Sequence, residues 1–341
     1  MINVALIGGS GYSGKELIRL LLQHPEVKIK SIFAKSTAGK NINDIYPFFK
    51  KRIDILIDSF DISKIQDIDL IFAALPHGES MEILPKLIGT NVKVIDLGGD
   101  FRFQDVSVYE KWYNKEHTAK DVVKSFVYGL PELFRDKIKK ANYIANPGCY
   151  PTSAILALAP IVKTDYFDLN TIVINSLSGV SGAGRKATVD YSFCEVNESV
   201  KAYKIGNHQH SPEIESVLEN FSGKGIDLIF VPHLIPVNRG IYTTIYLKPK
   251  VEIDIQEVRN IYNDFYKDSF FVRMFSSVPQ LQDVVYTNFC DIHLTYAKES
   301  NFLVINSAID NLIKGAAGQA IQNMNIMFNL KEDEGLNGNW N

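Results

Sequence analysis

The sequence predicts an α/β protein in which a doubly wound parallel sheet is joined to an α+β domain with a mainly antiparallel sheet. Three observations lead there. An apolar strand, Ile2 to Ile7, runs straight into glycines and then a helical pattern. Strand and helix patterns go on alternating up to the middle of the chain. From Cys149 to about Asp310, strands such as TIVINSL, DLIFVPHLIPV and GIYTTIYLKP adjoin through short connections, among helices such as VRNIYNDFY. The expected division is residues 1–148 with 311–341, and residues 149–310.

Taken in order, the first strand opens into GGSGYSG and the helical KELIRLLLQHP. Gly8, Gly11 and Gly14 stand three apart: one for a tight turn, one for close approach of backbone to a phosphate, one for close packing of the helix. With Ser10, Tyr12 and Ser13 between them, they predict a Rossmann-type dinucleotide site whose phosphates sit on the helix amino terminus. The second strand, VKIKSIFA, ends in Ala34-Lys35-Ser36-Thr37, without the carboxylate that holds an NAD ribose hydroxyl. A cation and hydroxyls suit a 2′-phosphate, so NADP(H) is expected over NAD. The next strands, DLIFAALPHGES and NVKVIDLGGDFRF, flank a helix expected over SMEILPKLIG. Their ends carry Pro76, His77 and Arg102 to the side where the cofactor is expected.

A short strand, NYIA, then leads through Pro147-Gly148 to Cys149, just ahead of a helix with Pro151 in its first turn. The partial positive charge at a helix start stabilises a thiolate, which is the nucleophile. A cysteine paired with a nicotinamide cofactor points to addition of sulfur to an activated acyl carbon and hydride exchange on the adduct. The base is sought in NHQHSPEI, where His208, His210 and Glu213 lie at the start of a helix expected to be capped by Ser211 and opened by Pro212. His-x-His could suggest a metal, but no third ligand is evident, and none is expected. Between cysteine and histidines, SGVSGAGRKAT supplies Ser178, Gly179 and Gly182 for close backbone approach, with Arg185 and Lys186 as charges. Ser178, Gly179 and Arg185 are expected to bind the phosphate or carboxylate of a substrate, and Gly182 to border the cofactor.

Composition excludes other classes. A net charge of -3, from 36 basic and 39 acidic residues, offers no field for nucleic acid or an anionic membrane. Cys149, Cys194 and Cys290 form no C-x-x-C pair, so neither a disulfide framework nor zinc is expected, and a reducing cytoplasm fits. The amino end reads as a core strand, not a signal peptide, and no apolar run approaches the roughly 20 residues of a membrane span. The tail KEDEGLNGNWN is expected to be partly loose.

GGSGYSG, LPHG, GGDFRF, YGLPE, NPGCYPT, SGVSGAGR, NHQHSPEI, VPHLIPVNRGI and DNLIKGAAGQA occur in this order. Together they resemble the N-acetyl-gamma-glutamyl-phosphate reductase family of arginine biosynthesis, within the superfamily that includes aspartate-semialdehyde dehydrogenase. The resemblance runs from Asn3 to about Gln322. It implies NADPH-dependent reduction of an acyl phosphate, N-acetyl-glutamyl 5-phosphate, to the aldehyde with loss of phosphate, by a two-domain homo-oligomer, dimer or tetramer. It implies that Cys149 forms a thioester, and that one of His208 and His210 activates it and later protonates the departing oxygen. It lends Arg102 and Arg185 substrate-anion roles, sets Ser36 near the 2′-phosphate, and sets Asn311 near the nicotinamide. Two departures stand out: paired glycines in GGDFRF, expected to loosen that loop, and lysine at 35 where arginine is common, which weakens the NADP preference. A carrier-linked aminoadipyl or glutamyl phosphate, an aspartyl phosphate, and a silent nucleotide-binding role are the alternatives; the intact Cys149 and histidines oppose the last.

Overall fold

The computed structural model describes residues 1–337, and the chain divides into two compact units, Met1–Pro147 with the segment from Ala316 onward, and Gly148–Gly315. In the first unit, six strands are β1 (Ile2–Ile7), β2 (Val27–Phe33), β3 (Leu70–Ala73), β4 (Lys93–Asp96), β5 (Phe126–Tyr128) and β6 (Tyr143–Ala145). All neighbours pair in parallel, in the order β2-β1-β3-β4-β6-β5. The order reverses at β1, which makes the carboxyl ends of β1 and β3 the switch point where such sheets take ligands. Val4 to Ile7 are at most 2% exposed, as a strand covered on both faces requires.

One local expectation fails here for a physical reason. SMEILPKLIG is α-helical only over Ser80–Ile83 and tightens to a 3₁₀ turn over Leu84–Leu87, because Pro85 has no N–H to continue the ladder. The tail is held, not loose, as far as residue 337: Asn325 Nδ2 donates to the carbonyls of Glu332 (3.0 Å) and Glu334 (2.9 Å), and Gln322 Nε2 donates to the Glu332 carboxylate (2.7 Å). The rest of the tail lies outside the described residues. Both amides belong to helix Gly318–Met327, which is buried along its whole length.

In the second unit, the strands are β7 (Phe167–Ser178), β8 (Lys201–Ala202), β9 (Leu228–Leu234), β10 (Ile241–Pro249), β11 (Val272–Phe275), β12 (Cys290–Ala297) and β13 (Phe302–Ile309). They form one sheet in the order β11-β12-β13-β10-β7-β9-β8. The β11–β12 and β7–β9 pairs are parallel and the other four antiparallel. Helix Cys149–Val162 covers one face, with every residue from Tyr150 onward buried. A line of hydroxyls sets its rotation on the sheet: Ser153 Oγ donates to Thr243 Oγ1 (2.9 Å) and lies 3.0 Å from Ser307 Oγ. The other face stays half-exposed at Tyr242, Thr244 and Tyr246 of β10.

The return to the first unit comes at Gly315–Ala316, later than the expected step after residue 310. Asp310 explains the delay. Its carboxylate accepts the N–H groups of Leu312 (2.8 Å) and Ile313 (3.0 Å), and its carbonyl accepts that of Gly315 (2.9 Å). Among the described residues, no helix is long and apolar enough to cross a membrane.

Candidate active site

The glycine loop has the shape its spacing predicts. Gly8 has φ +88, and a Cβ there would lie 2.2 Å from the Ala74 carbonyl oxygen; one at Gly14 would lie 2.6 Å from Gly8 O and Gly9 Cα. Gly11 is extended and caps helix Tyr12–Leu21 with no side-chain hydrogen bond and no acid in the first turn. The N–H groups and dipole of that helix therefore suit an anion. Tyr46, which sequence reading did not single out, clamps the loop: its hydroxyl donates to Ser10 O (2.8 Å) and Gly11 O (3.3 Å). Ser10 and Ser13 are half-buried and Tyr12 is exposed. Beyond β2, Lys35 and Ser36 are exposed, and the buried Thr37 hydroxyl has no hydrogen-bond partner among the described residues. Tight glycines, an uncapped helix and this cation with its hydroxyls fit a dinucleotide carrying an extra phosphate.

Pro76 and His77 leave the end of β3 exposed, with the His77 ring 5.0 Å from that of Tyr113. The paired glycines do not loosen their loop, because neighbours fill the space. A methyl at Gly98 would stand 2.9 Å from Ser80 Oγ, and one at Gly99 2.4 Å from the Tyr113 hydroxyl oxygen. Arg102 is only 7% exposed; its Nε donates to Asn146 O (2.8 Å) and its Nη2 to Leu97 O (2.9 Å), tying the β4 loop to the strand end before Cys149. Nearby, Asp96 is fully buried and its pKa is pushed up to about 7, first by burial and then by Asp100, against hydrogen bonds from Ser80 and Gly98 and the Arg102 charge.

In the second unit, Cys149 is itself the first residue of its helix, with Gly148 as N-cap, one position further in than the sequence suggests. The buried Glu213 carboxylate accepts the Gly148 N–H at 2.9 Å, so it fixes the turn that presents the sulfur. Cys149 also presses on Gly315: a Cβ there would be 2.8 Å from Cys149 Cβ. The expected Ser211 cap does not form, because helix His210–Ser222 begins before it, with Gln209 at the N-cap; the Ser211 hydroxyl is buried without a hydrogen-bond partner among the described residues.

The two histidines come together, their ring centroids 4.8 Å apart. His208 Nδ1 accepts the His210 backbone N–H at 3.1 Å, so a neutral His208 carries its proton on Nε2. Tyr150 and Phe230 pack edge-to-face on His208 at 5.7 and 5.4 Å. Among the described residues, no three His, Cys, Asp or Glu side chains group as metal ligands do.

The glycine-rich stretch after β7 folds back on the turn before β10. A Cβ at Gly179 would lie 2.7 Å from the Arg239 nitrogen, and one at Gly182 3.2 Å from Ser178 Oγ. Ser178 Oγ donates to Gly179 O at 3.0 Å. Asn311 pins this arrangement: its Oδ1 accepts from Gly240 N (2.7 Å) and its Nδ2 donates to Ser181 Oγ (3.0 Å). Arg185 and Lys186 lie further out on an exposed stretch. Sequence reading missed the buried pair beneath: Arg239 Nη2 donates to Asp310 Oδ1 at 3.0 Å, and Nε lies 3.0 Å from Oδ2. The signal available was the charge in VNRG, directly before a turn that only glycine can make, since Gly240 has φ +106.

Residues 3–141 match the family described as semialdehyde dehydrogenase, NAD binding domain, and residues 149–311 match the semialdehyde dehydrogenase dimerisation domain. The chain is 47% identical over 340 residues to a Halothermothrix orenii protein named N-acetyl-gamma-glutamyl-phosphate reductase, covering 98% of each. It is 49% identical over 337 residues to a protein of the same name from Caldicellulosiruptor bescii, again covering 98% of each. Among solved structures, aspartate semialdehyde dehydrogenase II of Vibrio cholerae complexed with ASA superposes with a TM-score of 0.74 at 16% identity, over 96% of this chain and 98% of that one. Aspartate semialdehyde dehydrogenase with NADP from Candida albicans gives a TM-score of 0.72 at 15% identity, over 96% and 99% of the two chains. At such identity the likeness is one of fold.

Proposed function

This chain belongs to the N-acetyl-gamma-glutamyl-phosphate reductase family of the semialdehyde dehydrogenases, and from that premise we propose how its residues perform the family's reaction. The substrate is N-acetyl-L-glutamyl 5-phosphate, and the products are N-acetyl-L-glutamate 5-semialdehyde and phosphate, a cytoplasmic step of arginine biosynthesis. The observation that carries this reading is Cys149 at the first position of a helix whose N-cap N–H is held by buried Glu213. The helix dipole favours the thiolate there.

The Cys149 thiolate attacks the acyl carbon, the C–O bond to phosphate breaks, and a thioester forms on the sulfur. NADPH, when bound, would supply the hydride that takes the acyl carbon to the aldehyde level, and the C–S bond then breaks, freeing the aldehyde and returning the Cys149 thiolate. Gly8, Ser10, Gly11, Tyr12, Ser13, Gly14, Lys35 and Ser36 hold it, with Pro76 and His77 beside it. His208, with its proton on Nε2, donates to the oxygen that gains charge at the acyl carbon, and His210 takes the Cys149 proton. Arg102 and Arg185 supply positive charge for substrate anions. Ser178 and Gly179 line the approach of the acyl group, Gly182 borders the cofactor, and Asn311 serves by holding that stretch in shape. A second copy of the chain packs on the half-exposed sheet face of the second unit, making a homo-oligomer.

Replacing Cys149 with Ser tests the reading. Turnover should fall by about 10³-fold or more, while NADPH still quenches protein fluorescence as in wild type. Turnover at the wild-type rate would refute covalent catalysis. A panel including carrier-linked and aspartyl substrates fixes the acyl group: activity confined to one of those would displace the acetylglutamyl assignment.

A further inference from the structure

We propose that Tyr203 is a positioning residue of the active site, closing one side of an aromatic cage that holds the His208 imidazole in a single orientation. The proposal rests on the reading of Cys149 and His208 as working parts of that site.

From residue 182 to residue 207 every position is exposed except Val196, Ser199 and Tyr203. Tyr203 turns inward. Its ring meets that of His208 edge-on, 5.7 Å between centroids at 69°, and its hydroxyl lies 2.9 Å from the Tyr150 hydroxyl. The chain around it is bent at conformations that side chains rarely adopt: Glu198 has φ 59 and Lys204 φ 46, with Gly206 at φ 65. In Glu198 and Lys204 the Cβ crowds a carbonyl oxygen, and such geometry persists only where surrounding contacts hold it. The contacts are local. Tyr203 N donates to Pro232 O (3.1 Å), Asn207 N to Lys204 O (2.9 Å), and Lys204 Nζ to Gln209 Oε1 (3.1 Å). An otherwise exposed segment therefore takes unfavourable turns whose result is to deliver one aromatic ring to one imidazole.

The other walls of the cage are built into regular structure. Tyr150 belongs to the Cys149 helix, Phe230 to β9, and His210 opens its own helix. Each of them is buried in the core of the unit for its own packing reasons. Tyr203 has no such reason, since its neighbours along the chain are solvated. Edge-to-face rings at these separations limit rotation of the imidazole, and the hydroxyl bond to Tyr150 anchors Tyr203 beside the residue next to Cys149. Burial, with the nearby Cys149 charge, keeps both phenols well above their usual pKa, so the pair stays protonated.

The test compares Tyr203→Phe, which keeps the ring, with Tyr203→Leu and Tyr203→Met, which do not. Three quantities are measured: kcat and KM for NADPH, the pH dependence of Cys149 alkylation by iodoacetamide followed by mass spectrometry, and the melting temperature. The Leu and Met variants should lose about 10- to 100-fold in kcat, as a displaced acid–base group does. They should keep KM for NADPH, the melting temperature and the pH dependence of Cys149 alkylation, because His210 takes the Cys149 proton. Tyr203→Phe should stay close to wild type on every count. Wild-type kcat in the Leu or Met variants would overturn the proposal. So would a Phe variant as impaired as Leu, which would assign the effect to the hydroxyl, or failure of both non-aromatic variants to fold, which would make Tyr203 a core residue. Loss of the underlying reading is distinguishable: it shows as wild-type enzyme that turns over normally after Cys149 is alkylated.

Discussion

Cys149 acquires its character from three contacts that sequence spacing cannot give. The helix begins on it, Glu213 holds the N–H of the residue before it, and Gly315 leaves room for its Cβ. His208 and His210 were visible as a pair, but their difference was not. A backbone N–H from one to the ring of the other fixes the proton of His208, and only folded geometry aims that bond. The proposed cofactor preference also turns on single residues. Lys35 and Ser36 stand exposed beside the orphan Thr37 hydroxyl, where a 2′-phosphate would find a cation and donors. Changing them together, Lys35→Asp with Ser36→Ala, should lower the ratio of kcat/KM for NADPH over NADH by about 10- to 100-fold, since charged hydrogen bonds are lost and a carboxylate now accepts from the ribose hydroxyl. An unchanged ratio would place the phosphate elsewhere.

The elements that carry these residues were legible to different degrees. β1, the glycine turn and helix Tyr12–Leu21 follow from apolar run, glycine spacing and helical period, all local signals. The break at Leu84–Leu87 was not read, although its signal is local: proline within a helical pattern stops the ladder. What could not be read was the segment Ile313–Ala317, which winds as a π-helix between β13 and helix Gly318–Met327. Wide turns of that kind are stabilised by tertiary contact, and they recur at functional sites. Here the turn carries Gly315 against Cys149. Gly315→Ala should therefore lower kcat, and overpacking should destabilise the protein by about 1–3 kcal/mol; urea unfolding and steady-state rates would check both. An alanine variant with wild-type rate and stability would show that the cysteine has slack the geometry denies it.

For the whole molecule, stability should carry the mark of one buried acid. Asp96 keeps its proton in the folded state up to about pH 7, whereas an ordinary aspartate loses it near 3.8. Above 3.8 the unfolded chain binds fewer protons than the native one, so stability falls as pH rises toward 7 and then levels. Asp96→Asn lacks this cost and can still accept from Ser80 and Gly98. The gap in unfolding free energy between the variant and wild type should widen from pH 4 to 7 and stay level beyond; a gap independent of pH would refute the assignment. The sequence by itself determined the two-sheet architecture and the dinucleotide turn, and it picked out the cysteine and histidines proposed here as nucleophile and acid–base pair, because each rests on period, spacing or residue chemistry within a few positions. Tertiary structure alone decided which buried acids brace the site, which nitrogen of His208 bears the proton, and that Tyr203, Arg239, Asp310 and Gly315 belong with Cys149's unit of the fold. Apart from the bond between His208 and His210, those are contacts between residues tens to hundreds of positions apart, and no local pattern of side chains records them.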